Sequence, residues 1–84
     1  MTPQQAEAAL AEELHRIAPD VELGEIDRAG DLRRQLDIDS MDFLNLVTAL
    51  NKRFGIPIPD ADYPRLASFS SAVSYLVEST SARG

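Results

Sequence analysis

Asp37-Ile38-Asp39-Ser40-Met41-Asp42-Phe43-Leu44-Asn45-Leu46 joins a helix-start signal to a hydroxyl placed where an anion is welcome. Asp39 reads as an N-cap whose carboxylate accepts from the free N–H groups of the first turn. Asp42 adds negative charge at the positive end of the helix. Ser40 is then the first helical residue. Ile38 precedes the cap and Phe43 takes the fourth helical position, the spacing of a hydrophobic staple that fixes how the chain enters the helix. At about 100° per residue, Phe43, Leu44, Leu46, Val47, Leu50 and Phe54 share one apolar arc, with Asp42, Asn45, Thr48, Ala49, Lys52 and Arg53 largely opposite. Met41 falls on the wet side beside Ser40. An exposed, adaptable Met there marks a candidate contact surface with Asp42 and Asn45.

On the N-terminal side, Thr2 is a cap and Pro3 a first helical residue, and Ala6, Ala9, Leu10, Leu14 and Ile17 form a stripe at helical spacing. This helix should end near Ala18, ahead of Pro19. His15 projects away from the stripe, with no second His and no Cys to complete a metal or catalytic set, and reads as a surface residue. Residues 19–36 lack sustained periodicity, yet Val21, Leu23, Ile26, Leu32 and Leu36 recur too often for a free linker. The expectation is a long loop packed on the bundle, with a short helical turn over Asp31–Leu36.

On the C-terminal side, Lys52 and Arg53 suit a negative helix end, and Gly55 stands where a left-handed cap residue is wanted. Ile56-Pro57-Ile58-Pro59 is held extended. Asp60 can then cap a brief helix running to about Tyr63, which Pro64 stops. Ser68 caps a last helix whose buried face is Phe69, Ala72, Val73, Leu76 and Val77. The expected fold is all-α: a small four-helix-type bundle with a long structured loop after helix one and a short third helix. One domain spans residues 1–78, and 79–84 form a frayed tail.

Composition narrows the function. Eighty-four residues make one small domain, and 44% apolar residues with few aromatics suit an aliphatic helical core. No cysteine is present, so disulfides and thiolate metal sites are excluded, and a working thiol would have to be imported. A net charge of −6 disfavours nucleic acid and anionic membranes and favours partners with basic docking surfaces. No apolar run reaches membrane-spanning length and no signal-peptide pattern opens the chain, so a cytoplasmic monomer is expected.

The segment 31–77 resembles the acyl carrier protein family, whose serine-bearing helix begins Asp-Ser followed by an aliphatic residue, here Asp39-Ser40-Met41. The likeness continues through Leu46-Val47, Ala49-Leu50, Phe54, Ile58-Pro59-Asp60 and Ala72-Val73-Ser74-Tyr75-Leu76. The resemblance implies that Ser40 is esterified with 4′-phosphopantetheine from coenzyme A, whose thiol holds acyl groups as thioesters. It implies a phosphopantetheinyl transferase as one partner, with acyl-loading, acyl-transfer or elongation enzymes of fatty-acid, lipid or secondary-metabolite biosynthesis as others. It also accounts for the long loop. A phosphodiester at a helix N-terminus would meet unpaired N–H donors, in agreement. Two positions depart from the family pattern. Asp37 stands where many carriers have Gly, and Asn45, Asn51, Lys52 and Arg53 replace acids usual on the outer face of the serine-bearing helix in fatty-acid carriers.

Other readings fare worse. As an EF-hand loop, the acidic cluster puts Asp42 where Gly is needed and Thr48 where a bidentate Glu is needed. As a hydrolase nucleophile, Ser40 lacks the Gly-x-Ser-x-Gly elbow and a nearby histidine, so the chain is not expected to be an enzyme. An unmodified, carrier-like interaction subunit and a peptidyl or aminoacyl carrier are the alternatives kept.

Overall fold

The computed structural model describes residues 1–83, and these fold into four α-helices with two 3₁₀ segments between them. The helices are α1 (Pro3–Ile17), α2 (Leu32–Leu36), α3 (Ser40–Phe54) and α4 (Phe69–Arg83), and the 3₁₀ segments are Leu23–Glu25 and Asp60–Leu66. Helix α1 packs on both α3 and α4, and α4 also packs on the second 3₁₀ segment. The all-α bundle expected from the sequence is therefore the architecture found.

Each long helix begins with the chemistry its sequence supplies. Thr2 and Gln5 form a reciprocal capping box at α1, Gln5 N–H donating to Thr2 Oγ1 at 3.1 Å and Thr2 N–H to Gln5 Oε1 at 2.9 Å. Ser68 Oγ accepts from Ser71 N–H at 3.2 Å to open α4. Gly55 closes α3 at φ 64°, a left-handed geometry that costs glycine little, and its N–H donates to the Asn51 carbonyl at 2.9 Å.

Leu10, Leu14, Leu32, Leu46, Leu50, Ile56, Leu66 and Leu76 are the largest fully buried side chains, so every long helix and the loop contribute to one core. Val21, Leu23 and Ile26 pack against it from the loop. Gln35 fixes the loop's shape, because its side-chain amide donates to the Asp27 carbonyl at 2.9 Å and accepts from the Asp27 N–H at 2.7 Å. Gly30 lies close beside it: a Cβ there would stand 2.8 Å from Gln35 Nε2, so a larger residue would displace that amide. Two main-chain bonds stitch the loop to the entrance of α4: Leu32 N–H donates to the Ala67 carbonyl at 2.8 Å, and Ser70 N–H to the Arg28 carbonyl at 2.9 Å.

Three expectations are corrected. The short third helix is a 3₁₀ segment extending to Leu66 rather than Tyr63, and Asp60 is its first residue, with no side-chain cap. The tighter i→i+3 pattern tolerates Pro64, and Ala67 N–H closes the segment on the Pro64 carbonyl at 3.2 Å. Helix α4 continues past Glu78 to Arg83, because no breaker interrupts 79–83, and Thr80 Oγ1 donates back to the Leu76 carbonyl at 2.8 Å. Of the expected tail, only Gly84 lies outside the described residues. Leu44, placed by periodicity in the buried arc, is 42% exposed, on the edge of α3 that borders a groove.

Candidate functional site

Ser40 is exposed at the first position of α3, as read from the sequence. Asp39 is the N-cap: its Oδ1 accepts from Asp42 N–H at 2.9 Å, and its carbonyl accepts from Phe43 N–H at 3.0 Å. The N–H groups of Ser40 and Met41 have no partner among the described residues, as expected of a helix's first turn. Ile38 and Phe43 are both buried in the core cluster, which anchors the chain on either side of the serine.

The approach to Ser40 is a compact turn. Helix α2 ends with Ile38 N–H donating to the Arg33 carbonyl at 3.1 Å and Asp37 N–H to the Arg34 carbonyl at 3.3 Å. This pair is a Schellman motif, and it places Asp37 in the left-handed region at φ 54°. A conformation suited to glycine thus occurs at the position where many carriers have one. Asp tolerates the left-handed region better than most residues, which reconciles Asp37 with the turn.

That turn carries Arg33 to the serine. Arg33 Nη2 donates to Ser40 Oγ at 3.0 Å, and its guanidinium lies 5.7 Å from the Phe43 ring centroid. Phe43 in turn meets Tyr63 edge-on at 5.8 Å. Burial, with Asp60 nearby, pushes the Tyr63 phenol up, so it stays neutral. Asp31, Arg33, Ser40, Phe43, Leu44, Tyr63, Pro64 and Ala67 line a groove of about 430 Å³ beside the serine hydroxyl. Phe43, Leu44, Tyr63, Pro64 and Ala67 supply its apolar wall, and Asp31, Arg33 and Ser40 its polar mouth. Sequence reasoning gave no role to Arg33, Tyr63 or the outward Leu44. The proximity of Arg33 to Ser40 depends on the Schellman turn at Asp37, which no local pattern in the sequence announces.

Met41 is 66% exposed next to Ser40, Asn45 is exposed one turn on, and Asp42 is half-buried in the first turn. Further along, the outer face of α3 is less cationic than the sequence suggests. Arg53 binds Glu13 at 2.8 Å and Glu12 at 2.7 Å, contacts that hold its pKa above the ordinary guanidinium value. Asn51 Nδ2 donates to the Ile56 carbonyl. Both therefore serve the fold, whereas Lys52 joins no ion pair among the described residues. A separate groove of about 670 Å³ between α1 and α3 is open and lined by these charged groups, away from Ser40. Among the described residues, no helix is long and apolar enough to cross a membrane.

Comparison with known proteins converges on the same segment. A family model described as phosphopantetheine attachment site matches residues 5–76. An acyl carrier protein of Rubrobacter xylanophilus is 33% identical over 58 residues, covering 69% of this chain and 72% of that protein. One from Campylobacter hominis is 44% identical over 41 residues, 49% of this chain and 52% of that one. A mitochondrial acyl carrier protein of Dictyostelium discoideum is 32% identical over 50 residues, 60% of this chain and 42% of that protein. The aligned segment thus spans about half or less of the last two relatives.

Proposed function

The chain belongs to the phosphopantetheine-attachment family that includes the acyl carrier proteins, and we propose that Ser40 is the residue through which it carries its arm. Members of this family are carriers, not catalysts, and bear covalently attached 4′-phosphopantetheine. The observation that carries the assignment to Ser40 is its exposed hydroxyl at the uncapped N–H donors of α3, within the matched segment.

The residues present fit the group. In the loading step, the Ser40 oxygen forms a bond to the pyrophosphate phosphorus that bears the pantetheine in coenzyme A. The adenosine bisphosphate half leaves, and the hydroxyl proton passes to a base on the transferase. The Ser40 and Met41 N–H groups and the positive end of α3 would hold a phosphodiester on Ser40. Asp39 holds the first turn in shape, and Phe43, Leu44 and Tyr63 offer an apolar wall alongside. When bound, the arm supplies the thiol that this cysteine-free chain lacks, and acyl groups ride on it as thioesters.

Met41, Asp42 and Asn45 form the surface read by partner enzymes of fatty-acid, lipid or secondary-metabolite synthesis. With Arg53 and Asn51 engaged internally, that surface offers apolar contact at Met41 and Leu44 and little charge beyond Asp42 and Lys52. This favours partners of a dedicated pathway over those that recognise an acidic helix.

Incubation with coenzyme A and a broad-specificity phosphopantetheinyl transferase, followed by intact-mass analysis, tests the assignment. The wild-type chain should gain one arm and Ser40→Ala none. An adduct persisting in Ser40→Ala, or no adduct on wild type with several competent transferases, would overturn it in favour of an unmodified interaction subunit.

A further inference from the structure

Arg33 stands beside the Ser40 oxygen with its guanidinium facing no carboxylate among the described residues. Arg33 Nη2 is 3.0 Å from Ser40 Oγ. Its guanidinium is steadied by the Phe43 ring at 5.7 Å, and its carbonyl is pinned by Ile38 N–H at 3.1 Å. Among the described residues Arg33 joins no ion pair, whereas Arg16, Arg28, Arg53 and Arg65 each face a carboxylate. Two of the neighbouring acids are turned to other work: Asp31 Oδ1 accepts from Arg33 N–H and Asp39 Oδ1 from Asp42 N–H. The surroundings of Ser40 are otherwise acidic, with Asp37, Asp39 and Asp42 close along the chain, so a phosphodiester placed there needs a compensating cation.

We propose that Arg33 is the phosphate-holding residue of this carrier, its guanidinium donating to the non-bridging oxygens of the phosphodiester on Ser40. The proposal rests on Ser40 being the attachment site. The phosphorus is one bond beyond Oγ, so its oxygens fall within reach of a group already bonded to Oγ. A guanidinium presents paired N–H donors that match two phosphate oxygens. Because Arg33 also lines the groove bounded by Phe43 and Tyr63, the contact turns the root of the arm toward that groove and away from the charged cleft between α1 and α3.

The test compares apo and holo forms of wild type, Arg33→Ala, Arg33→Lys and Arg34→Ala at low salt, with attachment to Ser40 verified by mass. Arg34 is the control, being adjacent, equally cationic and without a side-chain contact to Ser40 among the described residues. The apo form of each variant cancels any purely structural role of the side chain. Holo wild type should melt above apo, and Arg33→Ala should remove roughly 2–6 °C of that gain, the equivalent of an exposed charge pair in a domain this size. Arg33→Lys should keep part of it and Arg34→Ala nearly all. The ³¹P resonance of the phosphodiester should move in Arg33→Ala and stay in place in Arg34→Ala. An unchanged holo-minus-apo difference with an unmoved ³¹P resonance in Arg33→Ala would overturn the proposal while leaving Ser40 as the attachment site. So would equal losses from Arg33→Ala and Arg34→Ala. Failure of wild type to take an arm at Ser40 would overturn both.

Discussion

Single residues decide how the serine is presented, and Asp37 is the most exacting of them. It holds φ 54°, where an L side chain is disfavoured by about 1 kcal/mol or more and glycine is not. Asp37→Gly should therefore stabilise the chain by about 0.5 kcal/mol, after glycine's greater loss of freedom on folding is subtracted. Asp37→Ala should do the reverse. Urea midpoints of the three proteins check the order, and a Gly variant less stable than wild type would show that the Asp side chain contributes more than its backbone costs. Ser40, Asp39 and exposed Met41 were legible because cap chemistry is local. Glu13 was half legible. It lies on the stripe with Ala6, Ala9 and Leu10, which flags a buried acid, and it is 5% exposed. Its partner Arg53 arrives from another helix, so no local pattern could supply it.

At the scale of elements, periodicity located the long helices and most of their buried faces, because burial against one core imposes that spacing. Leu50 is fully buried on α3 while His15 is exposed on α1. Leu50→Ala should cost roughly 2–4 kcal/mol through transfer and cavity terms, and His15→Ala should stay within about 0.5 kcal/mol. Chemical denaturation with unchanged slopes is the check, and matching midpoints for the two variants would contradict the packing described. Less was legible where the period failed. The 3₁₀ segment outlasted Pro64 because its i→i+3 bonding tolerates a proline, and Phe43 and Tyr75 from other helices hold its Tyr63 and Asp62 in place. Leu44 emerged from the predicted arc because the groove beside Ser40 leaves α3 uncovered on that edge.

The molecule as a whole couples its ionisation to its packing through Tyr75. This side chain is 5% exposed, and its hydroxyl donates to Asp62 at 2.8 Å, joining α4 to the 3₁₀ segment. Burial, reinforced by Asp62, raises its pKa above the ordinary value of 10.0. In the raised case the folded state keeps its proton longer than the unfolded state. The stabilisation is therefore complete below about pH 10 and is lost as pH climbs through the folded value. Tyr75→Phe should cost about 1 kcal/mol at neutral pH and flatten the alkaline loss of stability, with a residual slope from Tyr63. Urea midpoints across the alkaline range measure this, and identical slopes for the two proteins would place the coupling elsewhere.

The paired main-chain bonds between the loop and the entrance of α4 have a mechanical consequence. Leu32 is tied to Ala67 and Arg28 to Ser70, so α2 cannot swing without loading the first turn of α4. Moving α2 relative to the start of α4 would therefore break main-chain hydrogen bonds at both ties, so the two elements are fastened through backbone as well as through the core.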